Sequence, residues 1–442
     1  MRTQANHDTV VEVGTLVILL CLATAAAAED WPEWRGRGRQ GIWRETGILD
    51  RFPESGLKAI WRTPVHGGYT GPSVSHGRVF LTDYKDGIER ALALDEDSGG
   101  ILWTVEWPAS YGRLHYSIGP RATPTVDADR VYVLGALGEM RCLRVTDGSV
   151  IWRRDFANDY GAEMPAWGTA SAPIVDGNLL IAIVGGRPDA KLVAFDKHSG
   201  REVWRALSGE DSEPGYSQPV IVENHGRRVL LVWHAGALAA LDPSTGDVFW
   251  ENPYRIRMNT PIATPVVSGP YVLISAFFQG ARLFRLDSGG LLWKASRESE
   301  TRPDTLHAGV ATPVVDGEYI YGICAYGQLR CLRLLTGEQI WESQGVLRER
   351  ARNASAFIVK HGDRYFFHTD RGELVMGRLK PEGYEEISRT TVIQPTTDPG
   401  SRRELAAVNW VHPAFANGHI IVRNDKEVVR FSLRKPSRHE GR

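Results

Sequence analysis

The chain has little cysteine: four in 442 residues, no two adjacent, and no C-x-x-C. That excludes a disulfide framework and the common zinc-ribbon spacing. Net charge is also missing, with 52 basic against 53 acidic residues and a formal balance of -1. No bulk field therefore steers it towards nucleic acid or anionic lipid. Long apolar runs are confined to residues 14–28, GTLVILLCLATAAAA, short of the roughly 20 residues of a membrane span. H-E-x-x-H, G-x-S-x-G and P-loop patterns are absent, and the 13 histidines are scattered, so no metal site is expected. No long Pro/Ser-rich linker divides the chain.

The one apolar run is uncharged and ends in small residues, which is the pattern of a signal peptide over residues 1–28. A mature chain starting near Glu29 is then periplasmic or secreted, with no integral span. Cys21 follows Leu20, where a lipidation signal wants Gly, Ala or Ser, so no lipid anchor is expected. Two basic clusters, RGRGR at 35–39 and RKPSRHEGR at 434–442, read as solvated charge runs. GRGRQG at 36–41 matches G-x-G-x-x-G literally, but no strand–turn–helix surrounds it, so it is not a dinucleotide site.

Tryptophan is what the chain has, 14 of them, and seven set a period. Trp61, Trp103, Trp152, Trp204, Trp250, Trp293 and Trp341 recur every 42 to 52 residues. From the second on, each follows a glycine by four positions: Gly99, Gly148, Gly200, Gly246, Gly289 and Gly337. Short strands with Pro near their starts precede each unit, as in TPTV at 123–126 and TPVV at 312–315. The sixth unit reads as four strands, TPVVDG, EYIYGIC, QLRCLRL and EQIWES. Four strands per repeat of this length predict a β-propeller.

Closure fixes the blade count. The last unit, residues 412–433, supplies three strands, and LKAIWRTPV at 57–65 supplies a fourth. The expectation is an all-β, eight-bladed propeller of four-stranded blades, closed by pairing the N-terminal strand with the C-terminal blade. Its parts are an N-terminal extension at 29–56, one propeller domain at 57–435 and a basic tail at 436–442, as a monomer.

In ALDPSTGDVFW at 240–250, Asp242 can accept turn N–H groups, Gly246 can take positive φ and Trp250 can cover the seam with the next blade. The repeated tryptophans are therefore structural docking residues. Arg144 and Arg333 replace the expected Asp, and Ile387 stands at a Trp position. Cys142 and Cys331 fall four blades apart, too far to bridge, and read as small core residues.

Chemistry belongs at the loops entering the innermost strands, which share one face near the axis. Those entries carry Tyr69, His115, Tyr116, Arg121, Glu163, Trp167, Tyr216, Gln218, Asn259, His307, Asn353, Trp410 and His412. They form a candidate funnel for a ligand or partner.

The A-x-D-x-x-[ST]-G-x-x-x-W pattern resembles the docking motif of the PQQ-like, quinoprotein-type β-propeller family. With DWPEWRGRGRQGI at 30–42, GYTGPSV at 68–74, GYEEISR at 383–389 and HPAFANGHIIVRNDKE at 412–427, the chain looks like its secreted bacterial PQQ-binding-like, BamB-like subgroup. One branch of that family is non-enzymatic, which implies an exported scaffold meeting an envelope protein or small ligand, with no cofactor assigned. The other contains PQQ-dependent alcohol and sugar dehydrogenases, with an adjacent Cys–Cys pair, a Ca²⁺ site and a catalytic Asp. Under that alternative the funnel would hold PQQ with Ca²⁺, and Arg121 would face the quinone's carboxylates. The chain has no Cys–Cys pair, and no Ca²⁺ ligand set or catalytic residue can be matched, so none is carried over.

Overall fold

The computed structural model describes residues 28–112, 114–209, 213–400 and 407–436. The expected signal segment with Cys21, and most of the expected basic tail, lie outside them.

Eight four-stranded antiparallel sheets form a ring, as the sequence predicts. The innermost strands of blades 1 to 8 are Ser73–Ser75, Thr125–Asp127, Ile174–Asp176, Val220–Asn224, Val266–Ser268, Val314–Asp316, Ala356–His361 and Ala414–Ala416. Each is short and leads through a tight hairpin into a largely buried second strand. Asn417 and Gly418, with φ of 55° and 76°, make such a turn in the left-handed region that a right-twisted hairpin requires. Blade 8 takes its fourth strand from Ala59–Pro64, which pairs antiparallel with Glu427–Ser432. Closure removes one open sheet edge at each side of the seam.

The repeat motif pins neighbouring blades. A Cβ at Gly99, Gly148, Gly200, Gly246, Gly289 or Gly337 would lie 2.5 to 2.8 Å from the indole of the preceding blade's Trp61, Trp103, Trp152, Trp204, Trp250 or Trp293. The glycine is thus required twice, by contact and by φ, which is +80° at Gly246. The indole N–H then reaches a carbonyl just upstream on the same turn: Trp61 to Glu96 at 2.8 Å, Trp103 to Val145 at 2.9 Å and Trp250 to Leu286 at 3.0 Å. Trp341 does the same to Lys380 of blade 7. Trp204 Nε1 alone of the seven has no such bond. Asp242 accepts from Ser244 N at 2.8 Å, the turn role expected of it. Where Arg144 replaces that Asp, Asp147 accepts from Ser149 N instead and the turn survives.

Cys142, Cys324 and Cys331 are free and buried. Burial pushes the Cys142 thiol up to about 12 and Cys331 to about 11, so both stay inert thiols.

One expectation is overturned. The cluster at 35–39 is not a solvated run: Arg35 and Arg39 are buried. Residues 29–52 enter from the end of the ring opposite the strand-entry loops and run across the axis. Glu29 O accepts from Asn417 N, Trp31 bridges Val74, and Ile42 bridges Lys360. Arg39 donates to Ala172 O, Pro173 O and Pro219 O at the starts of blades 3 and 4. Trp31, Trp43, Ile48 and Phe52 join the core of blades 7, 8 and 1. Charge-run reasoning failed because the carbonyls at the mouth of a propeller channel are themselves buried acceptors.

Candidate functional site

The strand-entry loops surround a concave cavity of about 440 Å³. Eight of the thirteen candidate residues line it: Tyr69, Tyr116, Arg121, Trp167, Tyr216, Gln218, Asn353 and Trp410. The loops are held open by their own side chains. Gln218 spends its amide on Ala172 N, Ala170 O and Tyr216 O. Arg121 donates to Gly119 O, His115 O and Tyr116 O, each at 2.7 Å, and lies over the Tyr69 ring at 5.3 Å. Aromatic pairs turn the corners between blades: His115 with Trp167, Trp167 edge-on to Tyr216, and Tyr116 edge-on to Trp410 at 5.8 Å. Burial raises the Tyr69 and Tyr216 phenols, so both are neutral donors at neutral pH.

The other five stand apart from the wall. His115 is exposed behind Trp167, and Glu163 faces solvent in an ion pair with Arg187 at 3.1 Å. Asn259 adopts positive φ in the turn beside Met258. His307 is buried against Phe277 O at 3.1 Å, and burial lowers its pKa. His412 is buried beneath the wall, 4.9 Å from Trp34 and 5.0 Å from Phe357, with its pKa lowered to about 3 by burial.

Sequence reasoning missed Trp34, Met258, Phe277, Phe278, Arg352 and Phe357, which also line the cavity. Trp34 comes from the N-terminal extension and makes the floor, its Nε1 donating to Thr264 Oγ1 at 3.1 Å. It belongs to no repeat, so periodicity is silent about it. Phe277 and Phe278 follow the second strand of blade 5, Tyr271–Ala276. Hairpins between second and third strands open on the same face as the entry loops, and that rule would have found them.

The wall thus combines nine aromatic rings with two guanidinium groups, and no carboxylate belongs to it among the described residues. The family model described as outer membrane protein assembly factor BamB matches residues 49–186 and 89–343. The chain belongs to the BamB family.

Relatives of both branches are similar to it. The outer membrane protein assembly factor BamB of Burkholderia pseudomallei is 23% identical over 46% of this chain and 62% of its own length. The quinoprotein ethanol dehydrogenase of Pseudomonas putida is 24% identical over 39% of this chain and 30% of its own. The chain therefore spans less than two thirds of either. Among solved structures, BamB from Moraxella catarrhalis superposes with a TM-score of 0.57 at 15% identity, covering 87% of this chain and 99% of that one. The quinohemoprotein alcohol dehydrogenase of Comamonas testosteroni gives 0.68 at 13%, covering 94% and 82%. At such identities the BamB-type ring is shared as a fold.

The quinone–calcium pair of the dehydrogenases can be tested against the wall. Calcium takes six to eight hard oxygen ligands, with carboxylates prominent. Among the described residues the wall's side-chain oxygens are those of Gln218, Asn353, Thr260 and phenols, none a carboxylate, and Gln218 is already spent. No group of three or more His, Cys, Asp or Glu residues that could hold a metal occurs among the described residues. The donor set does not fit a calcium-bound quinone.

Proposed function

We propose that the chain is an exported, non-catalytic propeller that receives a protein partner or small ligand in its axial funnel. The observation that carries this reading is the wall: aromatic, concave, cationic and without a carboxylate among the described residues. Such a wall is suited to burying an apolar body with a few oriented polar contacts. Acid–base chemistry needs a group that gives or takes a proton within hydrogen-bond reach of the substrate, and the wall's neutral phenols and tightly bonded arginine are poor candidates. The apolar run at residues 14–28, and relatives named for outer membrane assembly, support an envelope location.

The second reading is a PQQ-dependent oxidoreductase. The dehydrogenase relatives and the two wall arginines favour it.

Two titrations of the purified chain separate the readings. In one, PQQ and Ca²⁺ are added and dye reduction is assayed with alcohols and aldoses. In the other, the neutral fluorophore N-phenyl-1-naphthylamine is titrated. The expected results are no turnover, and saturable single-site fluorophore binding weakened by Trp167→Ala. Dye reduction would overturn the non-catalytic reading, and absence of saturable fluorophore binding would overturn the funnel.

A further inference from the structure

We infer that the funnel is a site for an apolar organic anion: a ring or aliphatic body resting on Trp34, with one acid group held between Arg121 and Arg352. The inference rests on the funnel reading and adds the chemistry of what enters it.

Charge comes first. Both cations line the cavity, and the acidic groups that face them, Glu89 towards Arg121 and Glu300 towards Arg352, stand outside the wall. Arg121 has five N–H groups and spends three on carbonyls, which carry no formal charge. The two that remain, one on Nε and one on Nη1, can each donate to an acid oxygen but do not make a fork. Among the described residues Arg352 pairs with Glu300 at 3.5 Å, which is not part of the wall. The Arg352 side chain is 40% exposed and lies over Phe277 at 5.5 Å. A cationic ligand would meet two like charges here, so a choline-type aromatic cage is disfavoured.

Unmet polar demand points the same way. Tyr69 Oη, Trp410 Nε1 and Arg352 Nε border the cavity and are buried without a hydrogen-bond partner. All three are donors in the neutral-pH protein. Leaving a buried donor unpaired costs free energy that an incoming oxygen recovers.

The apolar half follows from the floor. Trp34 is fixed by Thr264, and by packing on His412 and Phe357. Ile262, Val310 and Phe278 continue the apolar surface upward. A body of one or two rings can rest on this floor with its acid group turned to the arginines.

The test uses two fluorophores with the same rings, 1-anilinonaphthalene-8-sulfonate with an acid group and N-phenyl-1-naphthylamine without one. The full mature chain should bind the acid one-to-one and at least about ten-fold tighter. Arg352→Gln, which gives up only the Glu300 pair and the Phe277 contact, should erase most of that preference, and Arg121→Gln should do the same if its melt shows a folded chain. Equal binding of the two probes overturns the anion site and leaves the funnel standing. Binding of neither sinks the funnel and this inference together. A preference that survives Arg352→Gln and folded Arg121→Gln overturns the assignment of these residues. The acid group could belong to a free small acid or to a polypeptide C-terminus. Displacement of the probe by naphthoate, and by a hydrophobic peptide with free or amidated C-terminus, distinguishes them. Displacement by either free acid supports the site, and displacement by the amide as strongly as by the acid contradicts it.

Discussion

Trp61 and Gly99 meet face to face across the seam that closes the ring. A Cβ at Gly99 would sit 2.5 Å from the indole, and the Trp61 N–H reaches Glu96 O at 2.8 Å. Arg430 reinforces the same turn, donating to Glu96 O at 2.7 Å and pairing with the Glu96 carboxylate at 3.0 Å. The contact that pins ordinary blades together is thus also the clasp of the ring.

Trp61→Ala should therefore cost about 3–5 kcal/mol, as large-to-small core changes do. Trp250→Ala removes a less buried ring from an ordinary seam and should cost less. Thermal or denaturant melts of both variants compare the two. Equal losses would show that the closing seam has no special weight.

Gly246→Ala and Gly226→Ala make a controlled pair. Both positions have positive φ, +80° and +74°. A Cβ at Gly246 meets Trp204 at 2.6 Å, whereas one at Gly226 meets nothing within 4 Å. Gly226→Ala should cost about 1 kcal/mol from backbone strain alone. Gly246→Ala should cost at least about 1 kcal/mol more, because the indole must move in a packed seam. Matching melts would mean that glycine serves φ only.

Acid should destabilise the ring through buried histidines. Burial lowers His368 to about 4 and His412 to about 3, from 6.5. Both are depressed, so the stability they contribute is complete above pH 6.5 and is lost as pH falls towards those values. Each is worth on the order of 3 kcal/mol by pH 4. Glu89 and Glu96, raised by burial, act oppositely, their contribution falling as pH rises above 4.5. Melts of His412→Phe against wild type from pH 7 to 4 should show a shallower decline in the variant. Parallel curves would remove His412 from the account.

Arg39→Met should loosen the N-terminal crossing. It removes the Arg39 donors from Ala172 O, Pro173 O and Pro219 O, of which Pro173 O keeps the Thr125 hydroxyl, at a cost of about 1–3 kcal/mol for each acceptor left unsatisfied. Limited proteolysis should then cut within residues 29–52 before the propeller. Unchanged resistance would contradict the strapped arrangement.

The ring was legible because most blades repeat the same two demands, a glycine under a tryptophan and a short strand after proline. Repetition made the copies corroborate each other, and the orphan strand at Trp61 supplied closure. The site was half legible. Tyr116, Arg121, Trp167 and Trp410 could be placed because entry loops occupy a topologically fixed face. Trp34 and Arg39 could not, since they lie outside the repeat, Trp34 held by the Thr264 hydroxyl and Arg39 by carbonyls of two blades. His307 and His412 resembled wall residues by position, but their rings turn inward to backbone acceptors.

The central claim is that the funnel binds an apolar anion, and a crystal of the protein soaked with 1-anilinonaphthalene-8-sulfonate tests it most directly. The account predicts one molecule in the funnel, rings on Trp34 and sulfonate within hydrogen-bond distance of Arg121 or Arg352. A fully occupied probe seated instead on the exposed aliphatic rim of the outer strands, at Ile101, Leu102 or Val203, with the funnel empty, would contradict it.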